Sequence, residues 1–208
     1  MLKLHHSPMA CSLASRLALA EAGLEHEIAF VKTWKGEHKS DAHLAVNRRG
    51  KVPALDTPQG VLTESAAILP YIADLAPEKA LIPRAAFGRA RAQSWLSFMA
   101  TTLHPALAGV MFAPPGEAGA AARAAALDRA VAAFSEIDAH LEETNFVLGA
   151  VSVCDLYLLV FALWRAAPGL AGALPVLANI DRLQQTLLAR PALAAIVGEE
   201  FKLRAEAS

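Results

Sequence analysis

A short turn near the start of the chain carries its most reactive side chain. Between a predicted strand over 1–5 and a predicted helix over 12–22 lies the segment Ser7-Pro8-Met9-Ala10-Cys11-Ser12. A thiol at a helix N-terminus lies beside unpaired N–H groups and the positive end of the helix dipole, which favour the thiolate. The pattern therefore predicts either an acidified, reactive Cys11 or a small cysteine that packs the turn.

A proline at the start of a later strand marks a second segment of interest. Val52-Pro53 follows the loop over 47–51 and begins a strand. A trans peptide bond is the default for X–Pro, and proline is common at the first position of a strand. A cis bond would instead present the backbone N–H and C=O of Val52 to a peptide-like ligand. The residues alone leave both readings open.

Thr63-Glu64-Ser65 ends one predicted strand and begins a helix. The Ser65 hydroxyl and the first N–H groups of that helix would bind a carboxylate, and Glu64 would accept an ammonium group. Together these groups would hold the two charges of an amino-acid head group. The alternative is an ordinary capping serine beside a solvated glutamate.

Histidine and cysteine spacing argues against metal and disulfide sites. His5 and His6 lie on a strand and point to opposite faces, and no His-x-x-x-His pair has an acidic third ligand, so no metal site is predicted. Cys11 and Cys154 lie far apart, which excludes a disulfide framework and fits a reducing compartment. Ser152 and Asp155 are predicted to form a capping box at the start of a helix. Cys154, in the first turn of that helix, is predicted to be a buried apolar residue.

The elements that position these residues change character along the chain. The first eighty residues mix short strand and helix signals, with a strand-turn-strand signal around Thr57-Pro58-Gln59-Gly60 and a glycine, Gly23, that ends the first helix. From residue 85 the strand signals disappear. Helices are predicted near 86–112, 118–143, 153–166, 176–189 and 192–198. Two prolines between residues 75 and 83 mark the boundary.

Composition narrows the class of protein further. The 208 residues are 55% hydrophobic and carry a net charge of −1, which supports a folded core and no electrostatic attraction to nucleic acid or anionic membranes. The long uncharged stretch over 92–116 contains too many polar groups and prolines to span a bilayer, and no signal-peptide pattern opens the chain. We therefore expect a cytoplasmic protein with no nucleic-acid or membrane partner.

The motifs together resemble those of the glutathione transferases, over nearly the whole chain. The Ser-Pro-x-Ala-Cys-Ser turn is most similar to that of the bacterial beta class. The other matching motifs are Asn47-x-x-Gly50-x-Val52-Pro53, Thr63-Glu64-Ser65-x-Ala67-Ile68, Leu81-x-Pro83, Trp95-Leu96, Leu148-Gly149-x-x-Ser152-Val153-x-Asp155-x-Tyr157-Leu158 and Ala189-Arg190-Pro191-Ala192. No single motif is decisive, but their order and spacing are specific.

The resemblance implies the glutathione transferase fold and its assembly. An α/β thioredoxin-like, glutathione-binding domain would cover residues 1–76, a linker 77–84, and an all-α domain carrying the electrophile site 85–208. It also implies a homodimer and a detoxification role. Glutathione would be the co-substrate, a small apolar electrophile its partner, and no metal would be involved.

The same resemblance assigns roles to particular residues. Cys11, Ser12 and His104 would be catalytic, with the Ser12 hydroxyl donating to the glutathione thiolate or Cys11 forming a mixed disulfide. In this fold Pro53 is cis and Val52 binds the cysteinyl part of glutathione. The complete predicted glutathione-binding set is Ala10, Lys35, Lys51, Val52, Pro53, Glu64 and Ser65.

Several positions depart from the beta-class pattern. His5-His6 replaces the usual Tyr-Tyr, Arg48 replaces a proline, and Pro105 replaces the lysine after the site histidine. These changes leave the conjugation of glutathione to an electrophile as the predicted reaction, with thiol transfer or peroxide reduction through Cys11 as a further activity. The alternatives are a non-enzymatic binding or stress protein of this fold and a glutathione-dependent isomerase or dehalogenase.

Overall fold

The computed structural model describes residues 1–206, and the chain forms two compact units. The first unit contains residues 1–82 together with the C-terminal segment from Leu187 onward, and the second contains residues 83–186. The predicted helical domain ran without a break from 85 to 208, whereas the structure groups the C-terminal helix with the first unit. The predicted fold class is confirmed, because a thioredoxin-like sheet is followed by helices.

A four-stranded sheet with the order β2-β1-β3-β4 organises the first unit. β1 pairs parallel with β2 and antiparallel with β3, and β3 pairs antiparallel with β4. The strands are β1 (Leu2–His6), β2 (His26–Phe30), β3 (Ala54–Thr57) and β4 (Gly60–Thr63). The helices are α1 (Leu13–Ala22), α2 (Asp41–Val46), α3 (Ser65–Leu75) and, near the C-terminus, α9 (Pro191–Ala205).

Helix α1 begins directly after the Cys11 turn and ends where the sequence predicted. Gly23 adopts the left-handed conformation (φ 68°), and its N–H bonds to the carbonyls at the end of the helix. Leu13 and Leu17 are fully buried. Because the apolar face packs inside the unit, the start of α1 holds the Cys11 turn in a fixed place on the sheet.

The second unit consists of helices and the segments that join them. They are α4 (Ala86–Phe98), α5 (His104–Met111), α6 (Glu117–Glu143), α7 (Val153–Trp164) and most of α8 (Ala178–Leu188). A π-helical turn, Met99–Leu103, joins α4 to α5, so the helix predicted over 86–112 contains a local widening. Within residues 1–206, no helix combines the length and apolar character needed to cross a bilayer.

The predicted capping box at the start of α7 is confirmed. Asp155 accepts hydrogen bonds from the backbone N–H and the hydroxyl of Ser152, at 2.8 and 2.6 Å, and from the N–H of Val147 at 2.8 Å. Cys154 beside it is fully buried, as predicted, and burial raises the pKa of its thiol to about 12. This cysteine is therefore a packing residue.

Candidate active site

The turn that carries Cys11 meets the strand segment that begins at Val52. The Cys11 thiol donates a hydrogen bond to the Val52 carbonyl, with an Sγ···O distance of 3.4 Å. These residues are 41 positions apart in sequence. The fold therefore unites two segments that the sequence could single out only separately.

The loop before Val52 is held by hydrogen bonds to its own backbone. The Lys51 carbonyl accepts one bond from His43 Nε2 at 3.0 Å and another from the Asn47 side-chain amide at 2.9 Å. The Val52–Pro53 peptide bond is cis, as the resemblance predicted. Pro53 is buried and Val52 half-buried, so the backbone of Val52 lies at the edge of the unit's interior.

The strand-to-helix junction at Glu64 has the shape expected of a binding turn. Glu64 adopts a positive φ of 69°, which is unusual for a residue with a side chain, and α3 begins at the next residue, Ser65. The Ser65 side chain is buried, whereas the Glu64 side chain is about two-thirds exposed (67%). Arg49 lies 4.0 Å from the Glu64 carboxylate and donates to Thr63 Oγ1 at 3.0 Å. A carboxylate and a helix N-terminus therefore stand side by side.

The electrostatics of Cys11 differ from the sequence prediction. Burial raises the pKa of the Cys11 thiol to about 11. The backbone N–H groups of Cys11 and Ser12 face the sulfur and lower this pKa, and the charge of Lys51 lowers it too, but the loss of hydration outweighs them. The nearby charge of Glu64 raises it further. The prediction that the helix start acidifies Cys11 is wrong for the free protein, where this residue is a neutral thiol.

The Ser12 hydroxyl points into the unit rather than toward its surface. Ser12 is fully buried, and its Oγ lies 2.8 Å from His6 Nδ1. It also accepts a hydrogen bond from the Ser7 N–H at 3.2 Å. The structure thus differs from the expectation that this hydroxyl contacts bound sulfur, because a ligand cannot touch a side chain with no exposed surface. The backbone N–H of Ser12, in contrast, faces Cys11.

The remaining predicted residues fall in four places. Lys51 is exposed on the loop before Val52, and Lys35 is exposed on the 3-10 turn Thr33–Lys35. Ala10 is half-buried in the Cys11 turn. His104 belongs to the second unit, where its ring lies 5.2 Å from Trp164 and 5.6 Å from Phe161, centre to centre, and its catalytic role remains a prediction. Among the described residues, no group of three or more His, Cys, Asp or Glu side chains is placed to hold a metal ion.

Glu200, a buried residue of α9 that bonds to the turn carrying Cys11, was not identified from the sequence. Glu200 of α9 is fully buried and accepts hydrogen bonds from His6 Nε2 and from the Met9 N–H, at 2.7 and 2.8 Å. One signal was present in the sequence. Glu200 follows Leu193 and Val197 at helical spacing, so it lies on the apolar face of α9.

Comparison with known proteins extends the match from these motifs to most of the chain. The family described as "Glutathione S-transferase, N-terminal domain" matches residues 1–74. The glutathione S-transferase GstA of Escherichia coli O157:H7 is 33% identical over 196 residues, which cover 91% of this chain and 94% of that protein.

Solved structures agree with this result. A bacterial beta-class glutathione S-transferase from Sphingomonas chungbukensis is 33% identical, with a TM-score of 0.83. A sphingomonad glutathione S-transferase in complex with glutathione is 36% identical, with a TM-score of 0.84. In both cases 95% of this chain and 98% of the other are covered. The similarity in sequence and fold thus extends over both units, and the chain belongs to the glutathione S-transferase family.

Proposed function

We propose that this protein binds glutathione along Val52 and joins glutathione, through its sulfur, to a small apolar electrophile. The contact between the Cys11 thiol and the Val52 carbonyl supports this most directly. It places the less buried of the two cysteines beside a backbone segment suited to a peptide ligand. Glutathione is such a ligand, since its central residue carries both the reacting sulfur and a peptide backbone.

Each part of glutathione has a matching group in the first unit. The backbone of Val52 would pair with the cysteinyl residue as a short antiparallel strand. Glu64 would accept the γ-glutamyl ammonium, while the Ser65 hydroxyl and the start of α3 would bind the γ-glutamyl carboxylate. The exposed ammonium groups of Lys51 and Lys35 are suited to the glycyl carboxylate.

The proposed chemistry requires glutathione to react as a thiolate. Lowering a thiol pKa by about two units takes roughly 2.7 kcal/mol of differential stabilisation. Cys11 can provide part of this as a donor, because a thiol with a pKa of about 11 keeps its proton at neutral pH. Its S–H would turn from the Val52 carbonyl to the bound sulfur. The N–H groups of Cys11 and Ser12 face the same region and add to the stabilisation.

The transfer itself is a nucleophilic substitution or addition. The glutathione thiolate uses a sulfur electron pair to form a bond to an electrophilic carbon. The thiol proton has already passed to solvent. In a substitution, the leaving group departs with the electron pair of the bond that breaks. In an addition, the π bond of the electrophile breaks and its electron pair takes up a proton from solvent. Holding both reactants in place lowers the entropic cost of their encounter. We also propose that the active form is a homodimer, as the family resemblance implies.

A neutral Cys11 favours conjugation over a covalent role for this residue. Disulfide exchange and peroxide reduction need a thiolate nucleophile, and burial keeps the Cys11 thiol protonated in the free protein. A glutathione-dependent isomerase would share the same glutathione contacts. Conjugation therefore remains the function to test first.

The test combines binding with turnover. Isothermal titration of glutathione into the protein should show saturable binding, and a chromogenic aryl halide should be conjugated in its presence. Glu64→Ala should weaken glutathione binding by roughly 2 kcal/mol, the scale of a lost charge-assisted hydrogen bond. Glu78→Ala, at an exposed glutamate on another turn of the same unit, is the matched control.

The outcomes separate the competing readings. Binding without conjugation of any electrophile would favour the non-enzymatic alternative. Absence of binding, or equal affinity in the Glu64 and Glu78 variants, would contradict the proposed glutathione site. Turnover of a double-bond isomer in place of conjugation would favour the isomerase reading.

A further inference from the structure

A buried polar cluster lies beneath the Cys11 turn, inside the first unit. It contains His6 from β1, Ser12 and Arg16 from the turn and α1, and Glu200 from α9. All four residues are buried, and Glu200, His6 and Ser12 have no exposed surface. The cluster therefore joins three separate elements through side chains that solvent cannot reach.

Glu200 is the acceptor at the centre of this cluster. One carboxylate oxygen accepts hydrogen bonds from His6 Nε2 and the Arg16 guanidinium, and the other accepts the Met9 N–H. Burial by itself would raise the pKa of the Glu200 carboxyl. The hydrogen bond and charge of His6, with the Met9 N–H and Arg16, hold that pKa below its ordinary value. Glu200 is therefore an ionised carboxylate.

The hydrogen bond from the Met9 N–H to Glu200 involves the one residue of the turn over 7–12 with an unusual backbone conformation. Met9 adopts a positive φ of 58°, a conformation that residues with side chains rarely take. Such a conformation persists only where the surroundings hold it, and the Glu200 carboxylate holds the Met9 N–H at 2.8 Å. Cys11 is two residues further along the same turn.

His6 connects Glu200 to Ser12, at the other end of the turn. Nε2 of His6 donates to Glu200, and Nδ1 of the same ring forms a 2.8 Å hydrogen bond with the Ser12 hydroxyl. These two bonds fix Ser12, whose backbone N–H faces the Cys11 sulfur. The charged and titratable groups of the cluster are His6 from β1, Arg16 from α1, and Glu200 and Glu199 from α9, while β2 contributes the ring of Phe30.

We infer that Glu200 and His6 are positioning residues that set how strongly the turn stabilises the thiolate of bound glutathione. This inference rests on the proposed function. Glu200 fixes Met9 and His6 fixes Ser12, so the two residues hold the Cys11 thiol and its neighbouring N–H donors at one distance from the bound sulfur. Neither residue needs to touch glutathione.

Two measurements test the inference, and one of them does not need glutathione. The first is a pH titration of the ultraviolet absorbance of the glutathione thiolate in the complex. Glu200→Gln should raise the apparent pKa of the bound thiol by about one unit, a tenfold fall in its acid dissociation constant. The second is amide hydrogen exchange in the free protein, where residues 9–12 should exchange roughly tenfold faster in this variant.

Two control variants separate positioning from general loosening of α9. Glu199 pairs with the same Arg16 but is half exposed and has no described hydrogen bond to the turn, so Glu199→Gln should change both readouts less than twofold. Arg190 pairs with Glu21 at the start of α9, away from the turn. Arg190→Gln should loosen that end of the helix and leave the thiolate titration unchanged.

The result that overturns the inference is an unchanged thiolate titration and unchanged exchange in Glu200→Gln, or an equal effect of Glu199→Gln. If Glu200→Gln does not fold, His6→Gln decides instead. It retains a donor toward Glu200 and leaves the Ser12 hydroxyl without its ring partner, so a smaller shift in the same direction is expected and no shift is a refutation. If wild-type protein binds no glutathione, the proposed function fails, while the exchange measurement still decides the positioning role.

Discussion

Cys11 should react with an alkylating agent far more slowly than an ordinary cysteine. Its pKa is about 11 in the folded protein, against a reference value of 9.0, because burial removes the thiolate from water. At pH 8 about one Cys11 side chain in a thousand is ionised, compared with about one in ten for a free cysteine. Since only the thiolate is the nucleophile, the rate should fall roughly a hundredfold.

The assay is the rate of iodoacetamide labelling, followed by intact-protein mass spectrometry between pH 7 and 11. The rate should rise tenfold for each pH unit without reaching a plateau below pH 10. Cys11→Ser controls for the second cysteine, because Cys154 is fully buried and should not be labelled while the protein is folded. A plateau below pH 9 at Cys11 would refute the reasoning that burial controls this thiol.

Variants that remove a charge near Cys11 should change its labelling rate in a direction set by the sign of that charge. The Glu64 charge raises the pKa of Cys11 and the Lys51 charge lowers it. Glu64→Gln should therefore speed labelling and Lys51→Met should slow it, each by about twofold at low salt, because both side chains are exposed and screened. The two effects should shrink together as salt is added. Two variants that move the rate in the same direction would contradict this electrostatic account.

Three further predictions concern stability and assembly. Asp155→Ala should lower the free energy of unfolding by roughly 3 kcal/mol, measured by urea denaturation, because three buried donors lose their acceptor. Burial raises the pKa of Asp155 from 3.8 to about 6, so the folded protein binds a proton that the unfolded chain has lost. Wild-type stability should therefore fall as pH rises from about 4 to about 6, and Asp155→Asn should lack that slope. Light scattering should report about twice the 22.0 kDa chain mass, as the proposed homodimer requires.

Each of these measurements has a control and a contrary outcome. Ser135→Ala, at an exposed position of α6, should leave the free energy of unfolding unchanged and so calibrates the Asp155→Ala result. A parallel pH slope in wild type and Asp155→Asn would assign the slope to another group. A mass that stays at one chain at every concentration in a fully active sample would contradict the dimer.

Local sequence signals predicted the elements and motifs of this protein well. The left-handed Gly23, the capping box at Asp155 and the cis bond before Pro53 all follow from motifs of a few residues or from the family pattern they compose. The short helix α2 was missed, because its six residues carry too little periodicity to stand out from a loop. A structural feature could thus be predicted from the sequence wherever the residues that determine it lie close together along the chain.

The properties that depend on distant partners could not be read in this way. The pKa of Cys11 is governed by burial, which exists only after the sheet, α1 and the Val52 segment have packed. Glu200 lies 194 residues from His6, and nothing local marks the two as a pair. The Ser12 hydroxyl points inward because it bonds to His6, which in turn bonds to Glu200. The sequence therefore predicted the motif that carries Cys11 but not the buried residues that hold it.

The long sequence separation of His6 and Glu200 also affects when the first unit can finish folding during synthesis. A ribosome adds about 5 to 20 residues each second, so about 10 to 40 seconds pass between the synthesis of these two residues. During that interval β1 and α1 have emerged, but His6, Arg16 and the Met9 N–H still lack their shared carboxylate. The nascent first unit therefore completes its interior only when its last helix arrives. Chimeric or truncated proteins that exchange this unit need to carry α9 along with residues 1–82.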